Sequence, residues 1–431
     1  MKVKKKLIKN ENISNIRLAI IGLGYVGLPL SIEFSKFYKV IGYDIDIKRV
    51  NELNKNFDET NEIKNINISK NNNLEFTSNY LKLKNIDVFI ITVPTPVNKK
   101  NEPNLDILIG ASKTVGKVIN KNNIVVVEST VYPGVTEDIV VPSIESVSNL
   151  KWKENFNVAY SPERINPGDT KHKLTNIKKV VGADNKNTLK KVSYIYKKII
   201  KAGIFEVSNI KIAETSKAIE NAQRDINIAF INEITMICDS LGIDSHEVIT
   251  AAKTKWNFLD FSPGLVGGHC IGVDPFYLAK AAIQSGYIPE VILAGRKIND
   301  SMPKYLFKKI KKFLNNKSKV LILGMAFKEN VNDIRNSKSI ELAKQFIKNN
   351  YNVHCYDPLV NKVTLKKEHN ISLTKPIGKY NCLIVSVSHS DFKKMNKKSI
   401  LSLLKANSLI VDIRGTWEKI NFPSDFRVWR L

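Results

Sequence analysis

The 431-residue sequence predicts an α/β protein in which two doubly wound parallel-sheet domains are joined by a long central helix and a helical connector. Three observations carry that expectation. Short apolar runs alternate with longer amphipathic segments up to about residue 205, the pattern of buried parallel strands covered by helices on both faces. One stretch without Pro or internal Gly follows, from Ser208 to Gly242. The strand and helix alternation then restarts at Lys319. This length exceeds what one hydrophobic core supports, and 43% hydrophobic with 25% charged residues suits folded cores rather than disorder.

Residues 1–15 are polar and lysine-rich and are expected to be flexible. Strands are expected at Leu18 to Ile21, Val40 to Tyr43, Val88 to Val93, Ile124 to Val127, Val158 to Tyr160 and Lys179 to Val181, so residues 16–207 read as one domain. In the next stretch Ile212, Ile219, Ile226, Phe230, Ile234 and Ile237 are spaced by 3, 4 and 7, which predicts a helix of many turns. A helical piece from Asp244 to Ala252, a glycine-rich loop from Trp256 to Pro275 and helical sequence from Phe276 to Leu314 complete an all-helical region, 208–315, long enough to serve as a dimer surface. Strands Lys319 to Leu323, Val353 to Tyr356, Cys382 to Val387 and Leu409 to Ile413, with a helix from Ser337 to Asn349, make 316–431 a second α/β domain.

The formal charge of +26 invites a polyanion-binding reading. Only nine of the 67 basic residues are Arg, whereas nucleic-acid sites lean on Arg for bidentate contacts; scattered Lys reads as solvated surface, and no nucleic-acid partner is expected. Cys238, Cys270, Cys355 and Cys382 form no Cys-x-x-Cys pair, which argues for reduced thiols without a disulfide framework or a metal site. A basic start followed by the apolar stretch Leu18 to Leu30 resembles a secretory signal only superficially. Polar residues intervene, three glycines interrupt the stretch, and no small-residue cleavage site follows. With no apolar run of about 18 residues, no membrane partner is expected and the location is expected to be cytoplasmic.

Gly22-Leu23-Gly24-Tyr25-Val26-Gly27 directly follows a strand and precedes helical sequence. Glycines there permit a tight turn, close approach of backbone to a pyrophosphate, and packing of helix on strand. Asp44 ends the next strand, seventeen residues after Gly27, where a carboxylate accepts from both ribose hydroxyls and favours NAD over NADP. Gly22, Gly24, Tyr25, Val26, Gly27 and Asp44 are therefore cofactor-binding candidates in a Rossmann-like domain; the alternative is a tight turn without ligand. The closing domain reads Gly324-Met325-Ala326-Phe327-Lys328 at the matching turn, with one glycine, and so binds a different nucleotide or none.

Cys270 lies in Gly267-Gly268-His269-Cys270-Ile271-Gly272-Val273-Asp274-Pro275, where flanking glycines leave a sulfur accessible; it is the candidate nucleophile, against the alternative of a structural Cys in a tight loop. The other three Cys lie in helical or strand sequence and read as inert buried thiols. Lys217, Asn221 and Asp225 share one helical face, which taken alone reads first as a solvated stripe. Three Pro-containing loops, two of them also with Gly, begin at strand ends: Thr92 to Pro96, Glu128 to Gly134 and Tyr160 to Gly168.

Together and in this order, these segments resemble the nucleotide-sugar 6-dehydrogenase family, over essentially the whole chain from Ile16. The most specific elements are the Gly267 to Pro275 loop, the segment Glu214-Thr215-Ser216-Lys217-Ala218-Ile219-Glu220-Asn221 and the Asp44 fingerprint. The resemblance implies a four-electron oxidation in which one site converts a sugar 6-hydroxyl to a carboxylate with two NAD in turn. It implies that Cys270 captures the intermediate aldehyde as a thiohemiacetal, which becomes a thioester and is hydrolysed. By the same resemblance Lys217 and Asn221 stabilise the oxyanion, Glu163 and Asp274 handle protons or orient water, and Thr130 positions that water. Arg49, Thr95 and Thr130 join the cofactor set. Glu163, Arg164, Lys217, Asn221, Gly267, Gly268 and His269 join the substrate set, with Lys328 and Arg414 contacting a UDP-sugar in the terminal domain.

One position departs from the UDP-glucose enzymes: the second Glu that they place four residues after the match to Glu163 is Pro167 here. Arg164, the run Ile165-Asn166-Pro167-Gly168-Asp169 and His269 look like the N-acetylhexosamine branch instead. The resemblance therefore implies a UDP-N-acetylhexosamine, foremost UDP-N-acetyl-D-glucosamine, feeding surface polysaccharides such as capsule or O-antigen; the long helix, separately, is expected to make a homodimer. The rival readings are a UDP-glucose 6-dehydrogenase, an inactive nucleotide-sugar-binding homologue and a polyanion-binding protein.

Overall fold

The computed structural model describes residues 16–58, 71–98, 102–165, 173–268, 271–316 and 318–431; the N-terminal segment expected to be flexible lies outside them. Backbone contacts divide the chain into two compact units, one ending at Ala218 and one beginning at Ile219.

The first unit runs β1 (Arg17–Ile21), α1 (Gly27–Ser35), β2 (Lys39–Tyr43), α2 (Ile47–Asn54), β3 (Leu74–Thr77), β4 (Val88–Ile91), α3 (Asp106–Gly116), β5 (Ile124–Val127), α4 (Val141–Ser148), β6 (Asn157–Tyr160), β7 (Lys179–Ala183), α5 (Lys186–Lys197) and β8 (Ile204–Glu206). Its sheet has the order β3-β2-β1-β4-β5-β6-β7-β8. Strand order reverses between β1 and β4, and open α/β sheets bind ligands at the carboxyl ends flanking such a point. The central strands Val-Phe-Ile-Ile of β4 and Ile-Val-Val-Val of β5 are buried throughout, as strands covered on both faces must be. Asp46 and Asn185 start α2 and α5 by accepting hydrogen bonds from the first free amides, of Lys48 and of Asn187 and Thr188.

All neighbours in this sheet are parallel except β6 and β7, which pair antiparallel through Ala159 with Ala183 and Tyr160 with Gly182. A buried apolar run looks the same in either direction, so sequence pattern alone read β7 as one more parallel strand. β3 and β8 went unrecognised because they are only four and three residues long and sit at the sheet edges.

Helix α6 (Ile210–Leu241) is continuous over 32 residues. Its buried positions include Ala218, Ala222, Asp225, Ala229 and Asn232, whereas Ile212, Ile219, Phe230, Ile237 and Leu241, a separate stripe farther round the helix, are exposed, Phe230 at 52%. The long hydrophobic periodicity therefore marks the outer face of this helix. The second unit continues with α7 (Ser245–Lys253), α8 (Asp274–Gln284), α9 (Glu290–Ile310), β9 (Lys319–Leu323), α10 (Lys338–Lys348), β10 (Asn352–Tyr356), α11 (Lys362–His369), β11 (Tyr380–Val385), α12 (Ser390–Lys393), α13 (Lys397–Ser402), β12 (Leu404–Asp412) and β13 (Arg427–Arg430). Its five strands are parallel in the order β10-β9-β11-β12-β13.

Candidate active site

The turn between β1 and α1 has the geometry its glycines require. Gly22 adopts φ +98° and donates its amide to the Tyr43 carbonyl at 2.8 Å. A Cβ on Gly27 would fall 1.8 Å from the Gly22 oxygen and 2.5 Å from Thr92 Oγ1, so no side chain fits there. Around Gly24 an added Cβ meets nothing within 4 Å, and this exposed backbone precedes the amino end of α1, with Tyr25 half-buried and Val26 at the cap. An open, amide-rich turn at a helix amino terminus fits a dinucleotide pyrophosphate.

Asp44 Oδ2 accepts from the Leu23 amide at 2.8 Å and Oδ1 from the Asp46 amide at 3.0 Å. This fixes a partly exposed carboxylate beside the turn with acceptor capacity to spare for a ribose diol. Arg49 braces the same turn: its Nε donates to the Leu23 carbonyl at 3.0 Å and its guanidinium lies 2.8 Å from Asp58.

The second α/β domain repeats this frame and then closes it. Gly324 (φ +94°) donates to the Tyr356 carbonyl at 2.8 Å, and Asp357 Oδ2 accepts from the Met325 amide at 2.7 Å, as Asp44 does from Leu23. Asp357 also accepts from the amides of Ala326, Leu359 and Val360 and contacts His389 Nε2 at 3.1 Å. Burial would raise the Asp357 carboxyl, but His389 and these amides hold it below the usual carboxylate range. A carboxylate so engaged has little acceptor capacity left for a ribose, unlike Asp44.

At the carboxyl ends of β4, β5 and β6 the structure gathers several expected residues. Thr95 Oγ1 donates to the Thr130 carbonyl at 2.6 Å, joining the loops after β4 and β5. Glu163, after β6, accepts at Oε1 from the amides of Arg164 (2.6 Å) and Ile165 (2.5 Å), and Arg164 Nη1 donates to the Lys178 carbonyl at 2.8 Å. Glu214 on α6 accepts from the amides of Gly134 (2.6 Å) and Thr136 (3.0 Å), clamping the segment that follows Thr130. Three residues on, Lys217 is only 7% exposed, and among the described residues its ammonium has neither hydrogen bond nor ion pair.

Burial pushes the Glu214 carboxyl up to about 7. The folded state therefore holds a proton that the unfolded chain releases near 4.5, and this contribution to stability is full below about pH 4.5 and lost as pH rises through 7. Over that window wild type is expected to lose up to roughly 3 kcal/mol relative to Glu214→Gln. Urea midpoints of the two proteins at pH 5 and pH 8 check this; parallel pH dependence would refute it.

In the second unit, Asn221 on α6 donates from Nδ2 to Asp274 Oδ2 at 2.5 Å, bringing two expected site residues together at the amino end of α8. A Cβ on Gly267 would lie 2.3 Å from the Asn336 carbonyl oxygen, and one on Gly268 (φ +88°) 2.6 Å from the Phe327 ring, so both glycines are sterically required. Arg414 packs against Gly264, and the Lys328 ammonium sits 5.9 Å from the Phe327 ring centre. Cys270 and His269, like Asn166, Pro167, Gly168 and Asp169, lie outside the described residues. The other three thiols are buried; burial pushes Cys355 up to about 12 and Cys382 further still.

Sequence reasoning missed the polar groups that support these residues. Asn232 pairs with both backbone groups of Gly264, at 2.8 and 3.0 Å, and donates to Asn299 Oδ1 at 2.8 Å. Buried Arg296 pairs with Asp225 at 2.6 Å, so Asp225, one turn beyond Asn221, is part of the core and not a solvated stripe. Single polar residues within apolar periodicity were the only signal available. Among the described residues no three His, Cys, Asp or Glu side chains could hold a metal ion together, and no helix is long and apolar enough to cross a membrane.

Comparison with known proteins finds three segments that match the UDP-glucose/GDP-mannose dehydrogenase family: its NAD binding domain over residues 16–200, its central domain over 211–301 and its UDP binding domain over 321–419. Protein CapL of Staphylococcus aureus is 46% identical over 425 residues, covering 97% of this chain and 100% of that one. UDP-N-acetyl-D-glucosamine 6-dehydrogenase of Pseudomonas aeruginosa is 43% identical over 410 residues, covering 93% and 97%. The structure of UDP-D-ManNAc dehydrogenase from Pyrococcus horikoshii superposes with a TM-score of 0.85 at 29% identity, covering 96% and 99%.

Proposed function

We propose a reaction for this chain, which belongs to the UDP-glucose/GDP-mannose dehydrogenase family: the NAD-dependent, four-electron oxidation of the 6-hydroxyl of a UDP-N-acetylhexosamine, foremost UDP-N-acetyl-D-glucosamine, to the uronic acid. The substrate follows the Pseudomonas relative, and a place in capsule or related polysaccharide synthesis follows CapL. The observation that carries the chemistry is on α6, where a buried ammonium without a partner among the described residues, Lys217, precedes by one turn an amide, Asn221, already bonded to Asp274.

Bound NAD supplies the hydride acceptor. The turn at Gly22, Gly24 and Gly27 would hold its pyrophosphate through backbone amides, with Asp44 on the ribose and Thr95 and Thr130 at the strand ends beyond. Cys270 would add through its sulfur to the aldehyde carbon, giving a thiohemiacetal and then a thioester. Lys217 Nζ and Asn221 Nδ2 would donate to the oxygen that becomes negative, an interaction strongest in the transition state. Glu163 Oε2 would orient the water that releases the acid, and Asp274 would exchange the proton. Arg164, Gly267, Gly268, His269, Lys328 and Arg414 complete the substrate site. The working division is 16–207 for cofactor, 208–315 for the helical connector and 316–431 for the UDP-sugar.

The exposed apolar face of α6 supports a homodimer, because Ile212, Ile219, Phe230, Ile237 and Leu241 form one stripe that water does not favour. Phe230→Asp is expected to shift the chain from dimer to monomer in sedimentation velocity; an unchanged dimer would place the interface elsewhere. A cytoplasmic location agrees with free, buried Cys238, Cys355 and Cys382.

The test is NADH formation at 340 nm with UDP-N-acetylglucosamine, its galactosamine and mannosamine epimers and UDP-glucose, with sugar acid quantified alongside. Two NADH per acid on an N-acetylated sugar is the expected result. Turnover of UDP-glucose alone would overturn the assignment that rests on Arg164 and Pro167, and silence on all four would leave a nucleotide-sugar-binding homologue.

A further inference from the structure

We propose that Lys179 is a positioning residue for Glu163, holding its carboxylate in place and compensating its charge through a buried network shared with Glu128 and Tyr196. The role of Glu163 in acid release rests on the dehydrogenase reading above; the network itself rests on geometry.

The topology delivers the lysine. Because β7 runs antiparallel to β6, its first residue rises at the edge where β5 and β6 end. Continuing the register of Ala159 with Ala183 and Tyr160 with Gly182 sets Lys179 across from Glu163. Its ammonium lies 2.6 Å from Glu128 Oε2 and 3.7 Å from Glu163 Oε2. The Tyr196 hydroxyl donates to Glu128 Oε1, and the Tyr196 ring centre is 5.2 Å from the ammonium. Lys179, Glu128 and Tyr196 are at most 3% exposed.

Glu163 is held from two sides. Its Oε1 accepts from two backbone amides, whereas Oε2 is buried without a hydrogen bond, with Lys179 as its ion-pair partner. The other groups around it are Glu128, the Tyr196 hydroxyl, Ser161, which donates to the Val180 carbonyl, and Arg164, whose Nη1 donates to the Lys178 carbonyl. Two buried carboxylates thus share one ammonium. Burial already pushes the Glu128 carboxyl up, and Lys179 opposes it. Without the ammonium two buried carboxylates would face each other with no cation between them, which favours a shared proton, and a protonated Glu163 oxygen would donate to the water rather than accept from it. A lysine buried only for stability would be a poor choice, since such pairs barely repay desolvation.

The experiment compares wild type with Lys179→Met, Lys179→Arg and Glu128→Gln as full-length protein, measuring NADH and sugar acid from UDP-N-acetylglucosamine between pH 6 and 10. Lys179→Met is expected to move the acidic limb of acid formation up by about one pH unit or more, a loss of roughly tenfold at pH 7 that alkali recovers, with KM nearly unchanged. Lys179→Arg restores most of the rate. Glu128→Gln moves the limb the opposite way, because it frees the ammonium for Glu163. A uniform loss at every pH in Lys179→Met, or limbs moving together in the two variants, overturns the proposal. Should Lys179→Met fail to fold, Glu128→Gln decides, a downward limb supporting the proposal and an unmoved one overturning it. Infrared absorption of protonated carboxyl groups in the unliganded proteins needs no turnover. If no sugar is oxidised, the reaction assignment fails, while a carboxyl band gained by Lys179→Met at neutral pH still upholds the network and its absence refutes it.

Discussion

Cys270→Ser is expected to reduce net sugar-acid formation by about a thousandfold or more while leaving UDP-sugar affinity within roughly threefold. A serine hydroxyl stays protonated where a thiol ionises, so the adduct that must lose the second hydride does not form. The remaining thiols cannot substitute. Cys238, Cys355 and Cys382 are buried, and their sulfurs are enclosed in helix α6 and strands β10 and β11. Calorimetric titration with the nucleotide sugar and chromatographic measurement of acid check both halves of this expectation. Acid formation at the wild-type rate would remove the thioester route altogether.

Lys217→Met is expected to lower kcat by about a hundred- to a thousandfold with little change in KM, the signature of a donor lost mainly in the transition state. The reason lies in its surroundings: an ammonium buried to 7% exposure with no partner among the described residues is costly in the resting protein. In the proposed reaction that cost would be offset as negative charge develops on the substrate oxygen. Asn221→Ala removes a neutral donor and is expected to have the smaller effect. Its loss also frees Asp274, to which Asn221 is bonded at 2.5 Å. A rise in KM equal to the fall in kcat/KM for Lys217→Met would assign the lysine to gripping the sugar instead.

Much of this candidate site is legible in the sequence because the geometry it needs is tied to local sequence. The β1 turn needs glycine wherever backbone or ligand comes close, and a Cβ at Gly27 would indeed sit 1.8 Å from a carbonyl oxygen. Lys217 and Asn221 were legible as a pair because residues four apart on a helix share a face. The supporting residues were not. Glu128, Lys179 and Glu214 stand within motifs or strand starts that sequence reading had already delimited. What makes them matter is who faces them: Glu128 meets Lys179 at 51 residues' separation, and Glu214 meets Gly134 at 80. Local periodicity carries no information about such partners.

The alternation of strands and helices, the NAD fingerprint with its acidic partner, the glycine-flanked Cys270 and the family likeness can all be read from the chain alone, because each depends on neighbours in sequence. Contacts between distant segments are what reverse β7 and lift Lys179 to the strand ends, engage Asp357 with four amides and His389, and leave the apolar stripe of α6 facing outward. A strand's direction, a carboxylate's occupancy and a helix's buried face are set by which distant groups satisfy them, and that choice is made when the backbone closes and buried polar atoms must all find partners.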